Sequence, residues 1–275
     1  MKNGRYQILL TNDDGIQSPG LWAAANALSK IGYVTVAAPR DQASSTGRSL
    51  PITSDGRITH TRLKIGDEEW SAYAVGGTPA QTVLHGVLEI MGEKPDLVVS
   101  GINYGENLSE GITVSGTVGA AMEGASLGIP SLAVSLQLLD DSFYTYSDTV
   151  DFSTAAYFTH YFAKRLIERR LLPDVNLIKV DVPTHATPQT PWRLTRQATN
   201  MYFHPVVTRT GPLQEPGPLG YQLIVKKEEI QPDTDIYALL YDQVVSVTPL
   251  SLDMTSRIDL GAFEQKLRRE VSSKS

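Results

Sequence analysis

Two adjacent carboxylates, Asp13 and Asp14, follow a short apolar run near the start of the chain. The run from Tyr6 to Leu10 predicts a buried strand, and Gly15 lets the backbone turn after it. Neighbouring carboxylates repel each other unless a positive charge lies between them, and Mg²⁺ and Ca²⁺ prefer oxygen ligands. The pair therefore indicates either a site for a divalent cation or an ordinary solvated turn.

A helix is expected directly after this turn. Ser18 is a typical N-cap residue, and Pro19 suits the first helical position. The apolar residues that follow have helical spacing: Leu21, Ala24, Ala25, Leu28 and Ile31. Asp13 and Asp14 are thus predicted to lie between the carboxyl end of a strand and the start of a helix. Open α/β sheets bind their ligands at that edge.

Two further polar loops follow predicted strands. Residues 40–49 follow the strand predicted from Tyr33 to Ala38 and are rich in hydroxyl groups. Their oxygens could complete the shell of a hard metal ion or bond a phosphate, and the segment could equally be a plain polar loop. Residues 101–107 follow the strand predicted from Pro95 to Ser100. They include Asn103, whose amide oxygen suits a hard cation, although Asn is also a common turn residue.

Two helix starts add possible anion sites. Thr78 and Gln81 have the spacing of a capping box, and capping alone explains most of that pattern. Ser115, Gly116 and Thr117 present hydroxyls and free backbone N–H groups together at the start of another predicted helix. Such a helix start suits a phosphate, and the alternative is an ordinary Ser cap.

Strands and helices alternate through most of the chain, which predicts an α/β fold with a mostly parallel sheet flanked by helices. Residues 51–75 interrupt this alternation and indicate a β-hairpin excursion. Later segments indicate a helix over 151–169, a strand over 175–182, β-like runs at 192–198, 220–226 and 244–248, a short helix over 236–242 and a C-terminal helix over 256–271. We divide the chain into a core, residues 1–190, and a C-terminal β-rich arm, residues 191–275, which returns to the core.

The composition excludes several classes of protein. The chain has 275 residues, a net charge of −6 and no cysteine. Disulfides, thiolate metal ligands and cysteine nucleophiles are therefore excluded. The negative charge argues against binding to nucleic-acid polymers or membrane surfaces. We see no room for a signal peptide and no apolar run near the ~20 residues of a membrane helix, so we expect a soluble cytoplasmic protein.

The separate motifs point to one chemistry when they are combined. Parallel strands place their carboxyl ends at one edge, so Asp13, Asp14, the Ser44 loop, Asn103 and the Ser115 helix start should converge. Oxygen ligands for a cation would then lie beside an anion-binding helix start. That combination fits metal-assisted hydrolysis of a phosphoester.

Five motifs occur in order over about the first half of the chain: T-N-D-D-G-I-Q-S-P-G, A-P-x(4)-S-x-T-G, G-G-T-P-A, S-G-I-N-x-G-x-N and S-G-T-V-x-A-A-M-E-G. Together they resemble the SurE (survival protein) nucleotidase family. Thr195-Arg196 and the segment from Val245 to Leu250 extend the resemblance to most of the chain. One motif alone is only moderately specific, whereas the five together are highly specific.

The resemblance implies a divalent-metal-dependent phosphatase that acts on nucleoside 5′-monophosphates, often on 3′-monophosphates, and in some members on polyphosphate. It implies one divalent ion per subunit, Mg²⁺, Mn²⁺ or similar, whose ligands would be Asp13, Asp14, Ser44 and Asn103. Water activated by the metal would attack phosphorus, and Asp13 or Asp14 would assist removal of its proton. The expected substrate-binding residues are Asn12, Gly47, Ser115, Gly116 and Thr117.

The resemblance also implies a Rossmann-like fold and an arm exchanged between subunits, which gives a homodimer or homotetramer. Two residues depart from the family pattern. Glu106 stands where Pro is usual and adds a negative charge near the site. Val114 stands where an aromatic or polar residue is common. Either change could alter substrate preference, and neither removes a metal ligand.

Other functions are weaker candidates. A haloacid-dehalogenase-type phosphatase needs an Asp-x-Asp pair and a covalent aspartyl phosphate, which the adjacent aspartates do not fit. A non-catalytic nucleotide- or metal-binding module would use the same loops without turnover. The fingerprints of P-loop NTPases and of dinucleotide-binding folds are absent. The scattered histidines are expected to be structural or exposed: His60, His85, His160, His185 and His204.

Overall fold

The computed structural model describes residues 5–65, 68–138, 149–169 and 172–269. The strands in this part of the chain are β1 (Tyr6–Thr11), β2 (Gly32–Pro39), β3 (Ile58–Ile65), β4 (Glu68–Val75), β5 (Leu97–Tyr104), β6 (Ser131–Leu136), β7 (Leu177–Val182), β8 (Trp192–Leu194), β9 (Phe203–Val207), β10 (Leu219–Leu223) and β11 (Val245–Leu250). The α-helices are α1 (Pro19–Leu28), α2 (Pro79–His85), α3 (Gly116–Ser126), α4 (Ser153–Glu168), α5 (Asp235–Leu240) and α6 (Leu260–Arg268). A π-helix, Gly86–Met91, continues α2, and 3₁₀-helices occupy Ser109–Thr113 and Lys227–Glu229. None of the described helices has both the length and the apolar character needed to cross a membrane.

Among the described residues, nine strands form one sheet in the order β3-β4-β2-β1-β5-β6-β7-β11-β8. The central strands from β4 to β7 in that order are all parallel to one another. Strand β3 is antiparallel to β4, β11 is antiparallel to β7, and β8 runs parallel to β11. Strands β9 and β10 pair in a separate antiparallel hairpin. The predicted α/β fold with a mostly parallel sheet is confirmed.

Strand β1 lies where the order of the strands reverses. The chain passes from β1 through α1 to β2 on one side, and it later enters β5 on the other side. Ile8 is accordingly paired with Val34 of β2 and with Leu97 of β5. Such a switch point leaves a crevice outside the carboxyl ends of the strands, and α/β proteins bind ligands there. The chain after β1 carries Asp13 and Asp14 into this crevice.

The apolar run of β1 is continuous because the strand is buried on both faces. Ile8 and Leu10 belong to one hydrophobic cluster, together with residues of α1 and α4. Leu9 points the other way, into a cluster that includes Val83 of α2 and Ala120 of α3. Helices α1 and α4 thus cover one face of the sheet, and α2 and α3 cover the other. This burial on both faces fixes where β1 ends and therefore where the aspartates lie.

Three of the predicted helix starts are confirmed. Helix α1 begins at Pro19 with Ser18 in the N-cap position, although the Ser18 side chain makes no capping hydrogen bond. Helix α2 begins with the complete capping box: the Thr78 hydroxyl accepts from the Gln81 N–H, and the Gln81 side chain accepts from the Thr78 N–H. Helix α3 begins at Gly116, and its N-cap Ser115 accepts from the N–H of Val118.

One predicted strand boundary needs correction, and the predicted hairpin has a place in the main sheet. Strand β5 does not end at Ser100 but continues to Tyr104, so that Asn103 lies in the strand and not in a loop. The reason is its pairing with β6, which resumes at Asn103 and Tyr104 after a shift in register. The hairpin predicted within residues 51–75 is present as β3 and β4. Its second strand pairs with β2, so the hairpin extends the main sheet.

The C-terminal region also differs in detail from the prediction. Strand β9 was not expected; it contains Pro205, which sequence patterns disfavour in strands. Helix α6 starts at Leu260 and not near Ser256, because Asp259 is its N-cap and accepts from the N–H of Ala262. The predicted end of this helix at Val271 lies outside the described residues. Strands β8 and β11 belong to the main sheet, whereas the domain boundary at residue 190 stays a prediction.

Candidate active site

The turn after β1 is held by the side chain of Asn12. Its Nδ2 donates to the carbonyl oxygen of Gly15 at 3.0 Å, and its Oδ1 accepts from the N–H of Gly15 at 3.2 Å. Gly15 has φ of 99°, which favours glycine. Asn12 thereby presents Asp13 and Asp14, whose side chains are buried beneath the crevice. The predicted substrate role of Asn12 is untested, and its observed contacts shape the turn.

The hydroxyl of Thr117 joins two of the predicted ligands. Its Oγ1 lies 2.5 Å from Oδ1 of Asp13 and 3.1 Å from Oδ1 of Asn103. A hydroxyl has one proton to donate, so the shorter contact is the one that it donates to the Asp13 carboxylate. Two oxygen ligands from β5 and from the turn after β1 thus converge on the first turn of α3. The structure brings together residues that are 104 positions apart, Asp13 and Thr117.

Asp14 lies beside the end of β5. Its Oδ2 accepts from the backbone N–H of Tyr104 at 3.3 Å. Burial raises the pKa of Asp14 well above its ordinary value, and the adjacent Asp13 carboxylate raises it further. Burial also raises the pKa of Asp13, while the Thr117 hydroxyl opposes that rise. The protein has therefore placed two carboxylates where their negative charges are costly.

The start of α3 packs closely against Asp13. A Cβ on Gly116 would lie 2.7 Å from Cβ of Asp13 and 2.9 Å from its Oδ2, so a larger residue would displace the carboxylate. The backbone N–H groups of Gly116 and Thr117 lower the pKa of Asp13. Ser115 uses its Oγ to cap the helix. The helix start therefore delivers neutral hydrogen-bond donors to the carboxylate.

The loop that contains Ser44 is attached to the same crevice by its backbone. The N–H of Ala43 donates to the carbonyl oxygen of Asp13 at 2.7 Å, and the N–H of Gly47 donates to the carbonyl oxygen of Val114 at 2.9 Å. The loop thus lies between the turn after β1 and the start of α3. Ser44 itself is exposed, and its Oγ accepts from Nε2 of Gln42 at 3.1 Å. The structure places Ser44 next to the residue that contacts Asp13, and the hydrogen bond found for its side chain in the described part of the chain is the one from Gln42.

The donor set fits a hard divalent cation. Among the described residues there is no group of three or more His, Cys, Asp and Glu side chains that could hold a metal ion. The crevice instead combines two carboxylates with neutral oxygens, namely the amide of Asn103 and hydroxyls. Carboxylate and carbonyl oxygens are what Mg²⁺ binds in proteins, commonly through one or two carboxylates and water. A bound cation would also favour the charged forms of Asp13 and Asp14, which burial disfavours.

A second group of charges was missed by the sequence analysis. Lys179 and Asp181 of β7 and Asp235 at the start of α5 are fully buried. Nζ of Lys179 lies 2.5 Å from Oδ2 of Asp181 and 3.2 Å from Oδ2 of Asp235. Lys179 and Asp181 occupy alternate positions of the strand, which is the pattern of a strand with one solvent-exposed face, so their burial is evident only from the structure.

The motif predicted that Glu106 would add a negative charge near the site, but the structure does not expose this side chain there. Its carboxyl group is buried, and its Oε1 accepts from the hydroxyl of Tyr202 at 2.5 Å. Burial raises the pKa of Glu106. Val114, the other unusual residue, is 55% exposed beside Ser115. Of the five histidines, His60 and His185 are exposed, and the others are partly buried.

Comparison with known proteins gives one consistent result. Residues 8–204 match the model of the family described as survival protein SurE. A protein named 5′-nucleotidase SurE from Methanosarcina mazei is 40% identical over 268 residues, which cover 95% of this chain and 97% of that protein. Another protein of the same name, from Thermococcus kodakarensis, is 41% identical over 255 residues, covering 92% and 95%. The crystal structure of the SurE protein from Aquifex aeolicus has a TM-score of 0.75 and 32% identity, and the match covers 95% of this chain and 99% of that one.

Proposed function

The chain belongs to the survival protein SurE family, and on that premise we propose that it is a divalent-metal-dependent 5′-nucleotidase, which releases phosphate from nucleoside monophosphates. The observation that carries this proposal is the junction at Thr117, where oxygens of Asp13 and Asn103 meet the start of α3. A cation site and an anion-binding helix start then lie side by side. Relatives named 5′-nucleotidase cover almost the whole chain, which supports the same activity.

Asp13, Asp14, Ser44 and Asn103 would hold the cation. A divalent ion supplies, when bound, a Lewis acid for the phosphoryl oxygens and a means of activating water near neutral pH. The buried carboxylates and the amide oxygen of Asn103 support this role through their convergence. Ser44 would join them through the loop that Ala43 ties to the Asp13 backbone.

The other residues of the crevice would handle the phosphate and the proton. The first turn of α3 directs the backbone N–H groups of Gly116 and Thr117 at the Asp13 carboxylate, and a phosphate bound beside Asp13 would share these donors. Gly116 leaves no bulk between that turn and Asp13. Thr117 would orient Asp13, and Asp13 or Asp14 would accept a proton from the attacking water. Ser115, Asn12 and Gly47 would shape the pocket around these groups.

Phosphate release from a panel of nucleoside 5′-monophosphates tests the proposal directly. The purified protein is assayed after treatment with a chelator and again after Mg²⁺ or Mn²⁺ is restored. We expect turnover to disappear on chelation and to return with the metal. A folded protein that binds nucleotides but releases no phosphate with either metal would instead be a binding module. A trapped phosphoenzyme would indicate the haloacid-dehalogenase type of chemistry.

The same phosphate-release assay tests two further substrate classes. We propose that 3′-monophosphates and short polyphosphates are also substrates, as the family resemblance implies. Parallel assays with 3′-AMP and a polyphosphate of defined length would measure each activity relative to 5′-AMP. Absence of release from either compound, under conditions where 5′-AMP is hydrolysed, would remove that activity from the proposal.

We further propose that the C-terminal arm joins subunits into a homodimer or homotetramer. All residues of α6 are exposed, including the apolar Leu260, Phe263 and Leu267. Leu219, Tyr221 and Leu223 of β10 are exposed as well. A second copy of the chain would cover these side chains, and light scattering coupled to size-exclusion chromatography would measure the mass. A monomer at micromolar concentration would contradict the proposal.

We also propose a cytoplasmic location, which cell fractionation would test.

A further inference from the structure

The segment from Gly105 to Ser109, here called the 105–109 loop, directly follows the predicted metal ligand Asn103. Nδ2 of Asn103 donates to the carbonyl oxygens of Tyr104 at 3.0 Å and Gly105 at 2.7 Å. These bonds orient the amide, and they leave its Oδ1 directed at Thr117. The position of the first residues of this loop therefore sets the direction of a ligand oxygen.

The sheet holds the middle of the 105–109 loop. The N–H of Asn107 donates to Oδ1 of Asp181 at 2.8 Å, and the carbonyl oxygen of Asn107 accepts from Nζ of Lys179 at 2.7 Å. The side chain of Asn107 donates to Oγ of Ser135 at 2.8 Å. Both backbone groups of this residue are thus bound by charged side chains of β7. Hydrogen bonds to charged groups are stronger than those between neutral groups.

The C-terminal region holds the two ends of the same loop. The N–H of Ser109 donates to Oδ2 of Asp235 at 3.1 Å, and its Oγ lies within hydrogen-bond distance of the carbonyl oxygens of Ala198 and Asn200. At the other end, the Tyr202 hydroxyl donates to the Glu106 carboxylate. The C-terminal region therefore contacts the loop through Ala198, Tyr202 and Asp235, which lie far from it in sequence.

Lys179 connects these two supports. Its ammonium group contacts Asp181 of the sheet, Asp235 of the C-terminal region and the backbone of the loop between them. All three side chains are 0% exposed. Buried ion pairs are weak evidence for stability, and their best-attested use is to specify one arrangement of the chain. Here the arrangement that they specify is that of the 105–109 loop.

We propose that Lys179, Asp181 and Asp235 are positioning residues, which set the affinity of the active site for its divalent cation by fixing the loop that orients Asn103. The inference rests on the metal dependence proposed above. It assigns the C-terminal region an indirect part in metal binding, in addition to the contacts with other subunits proposed above. Loss of partners that orient a metal ligand typically costs about 10–100-fold in metal affinity.

Mn²⁺ binding to the metal-free protein, measured by calorimetry without nucleotide, tests the proposal. Asp181→Asn and Asp235→Asn each preserve the shape of the side chain. In each variant Lys179 keeps an ion pair with the remaining aspartate, and this pair has no net charge. We expect each to raise the dissociation constant for Mn²⁺ about tenfold. Asp233→Asn is the matched control, because Asp233 is exposed two residues before Asp235 and pairs with Arg196 at 2.9 Å. Its dissociation constant should equal that of the wild type.

Tyr202→Phe keeps the experiment decisive if the buried Asn variants do not fold. It removes one hydroxyl and the bond to Glu106, and we expect a smaller increase in the dissociation constant, about threefold. Unchanged Mn²⁺ affinity in the folded Asn variants, or in Tyr202→Phe where those variants do not fold, would overturn the inference. A wild-type protein that binds Mn²⁺ but hydrolyses no nucleotide would refute the proposed function alone, since the binding measurement does not involve turnover.

Discussion

Two pairs of carboxylates are buried at the carboxyl edge of the sheet, and the protein compensates their charges differently. Asp181 and Asp235 share the ammonium group of Lys179, which contacts both. Asp13 and Asp14 are adjacent in sequence, and Asp13 receives neutral donors from Thr117 and from the start of α3. The first pair contains its own cation. The second pair has the donor set of a site that takes a cation from solution.

The pKa directions express the same difference. Burial raises the pKa of Asp181, and the charge of Lys179 opposes that rise. Burial raises the pKa of Asp14, and the charge of Asp13 adds to the rise. An ion pair with Lys179 suits a structural task, because its cation is part of the chain and cannot exchange with ions in solution. A pair of carboxylates whose ionisation is disfavoured in the empty protein suits a ligand that restores the charged forms when it binds.

Removal of Lys179 should give the largest loss of stability. Lys179→Met leaves two buried carboxylates without their shared cation, and breaking a buried ion pair in this way costs about 3–5 kcal/mol. Urea unfolding followed by circular dichroism would measure the change. Lys164→Met is the matched control: Lys164 is 51% exposed, and its Nζ lies 3.9 Å from Glu168. Exposed pairs contribute about 0–1 kcal/mol, so an equal loss in both variants would contradict the structural role of Lys179.

Asp14→Asn should separate function from stability. The variant loses a charged group that we propose as a metal ligand, so we expect the proposed metal-dependent phosphate release to fall by more than about 100-fold, the upper range for loss of an outer partner. It also removes one of two adjacent buried charges, while the amide oxygen can still accept from the Tyr104 N–H. The metal-free variant should therefore unfold at a higher urea concentration than the metal-free wild type. A less stable variant, or one with full activity, would refute this comparison of the two pairs.

Thr117→Val should have an intermediate effect on turnover. Valine keeps the shape of the side chain but cannot donate to Asp13. A hydrogen bond to a charged group contributes about 1.5–3 kcal/mol, so kcat/KM should fall by about 10–100-fold. Thr159→Val is the control, because the buried Thr159 hydroxyl donates to the Ala155 carbonyl oxygen within α4, away from the crevice. Similar losses in both variants would show that Thr117 acts only through general packing.

The sequence allowed one of these two pairs to be recognised, and the reason is physical. Asp13 and Asp14 lie between an apolar strand and a capped helix, and local patterns place such residues at the edge of a parallel sheet. The helix starts at Pro19, Pro79 and Gly116 were predictable for the same reason, since caps depend on a few neighbouring residues. Contacts that depend on one turn and its flanking elements are encoded locally.

The other pair required the tertiary structure. Asp235 is 56 residues from Lys179, and no local pattern indicates that α5 begins against β7. The continuation of β5 through Asn103 was missed for a similar reason. Its polar and glycine residues resemble a loop, and only the pairing with β6 makes them a strand. The metal-ligand types could thus be read from the sequence, whereas the groups that position them could not.

Glu106 extends the comparison to a buried carboxyl group that neither pairs with a lysine nor belongs to the proposed metal ligands. Its substitution should have the smallest effect of those considered. Burial raises its pKa above the ordinary value of 4.5. Its protonated form therefore contributes stability that is complete below pH 4.5 and is lost as the pH rises through the raised pKa. Glu106→Gln cannot ionise and keeps an oxygen for Tyr202. The variant should become more stable relative to the wild type as the pH rises. Urea unfolding at several pH values would measure this difference, with the exposed Glu69→Gln as control. A difference that does not change with pH would mean that the pKa of Glu106 is the same in the folded and unfolded protein and would contradict the prediction.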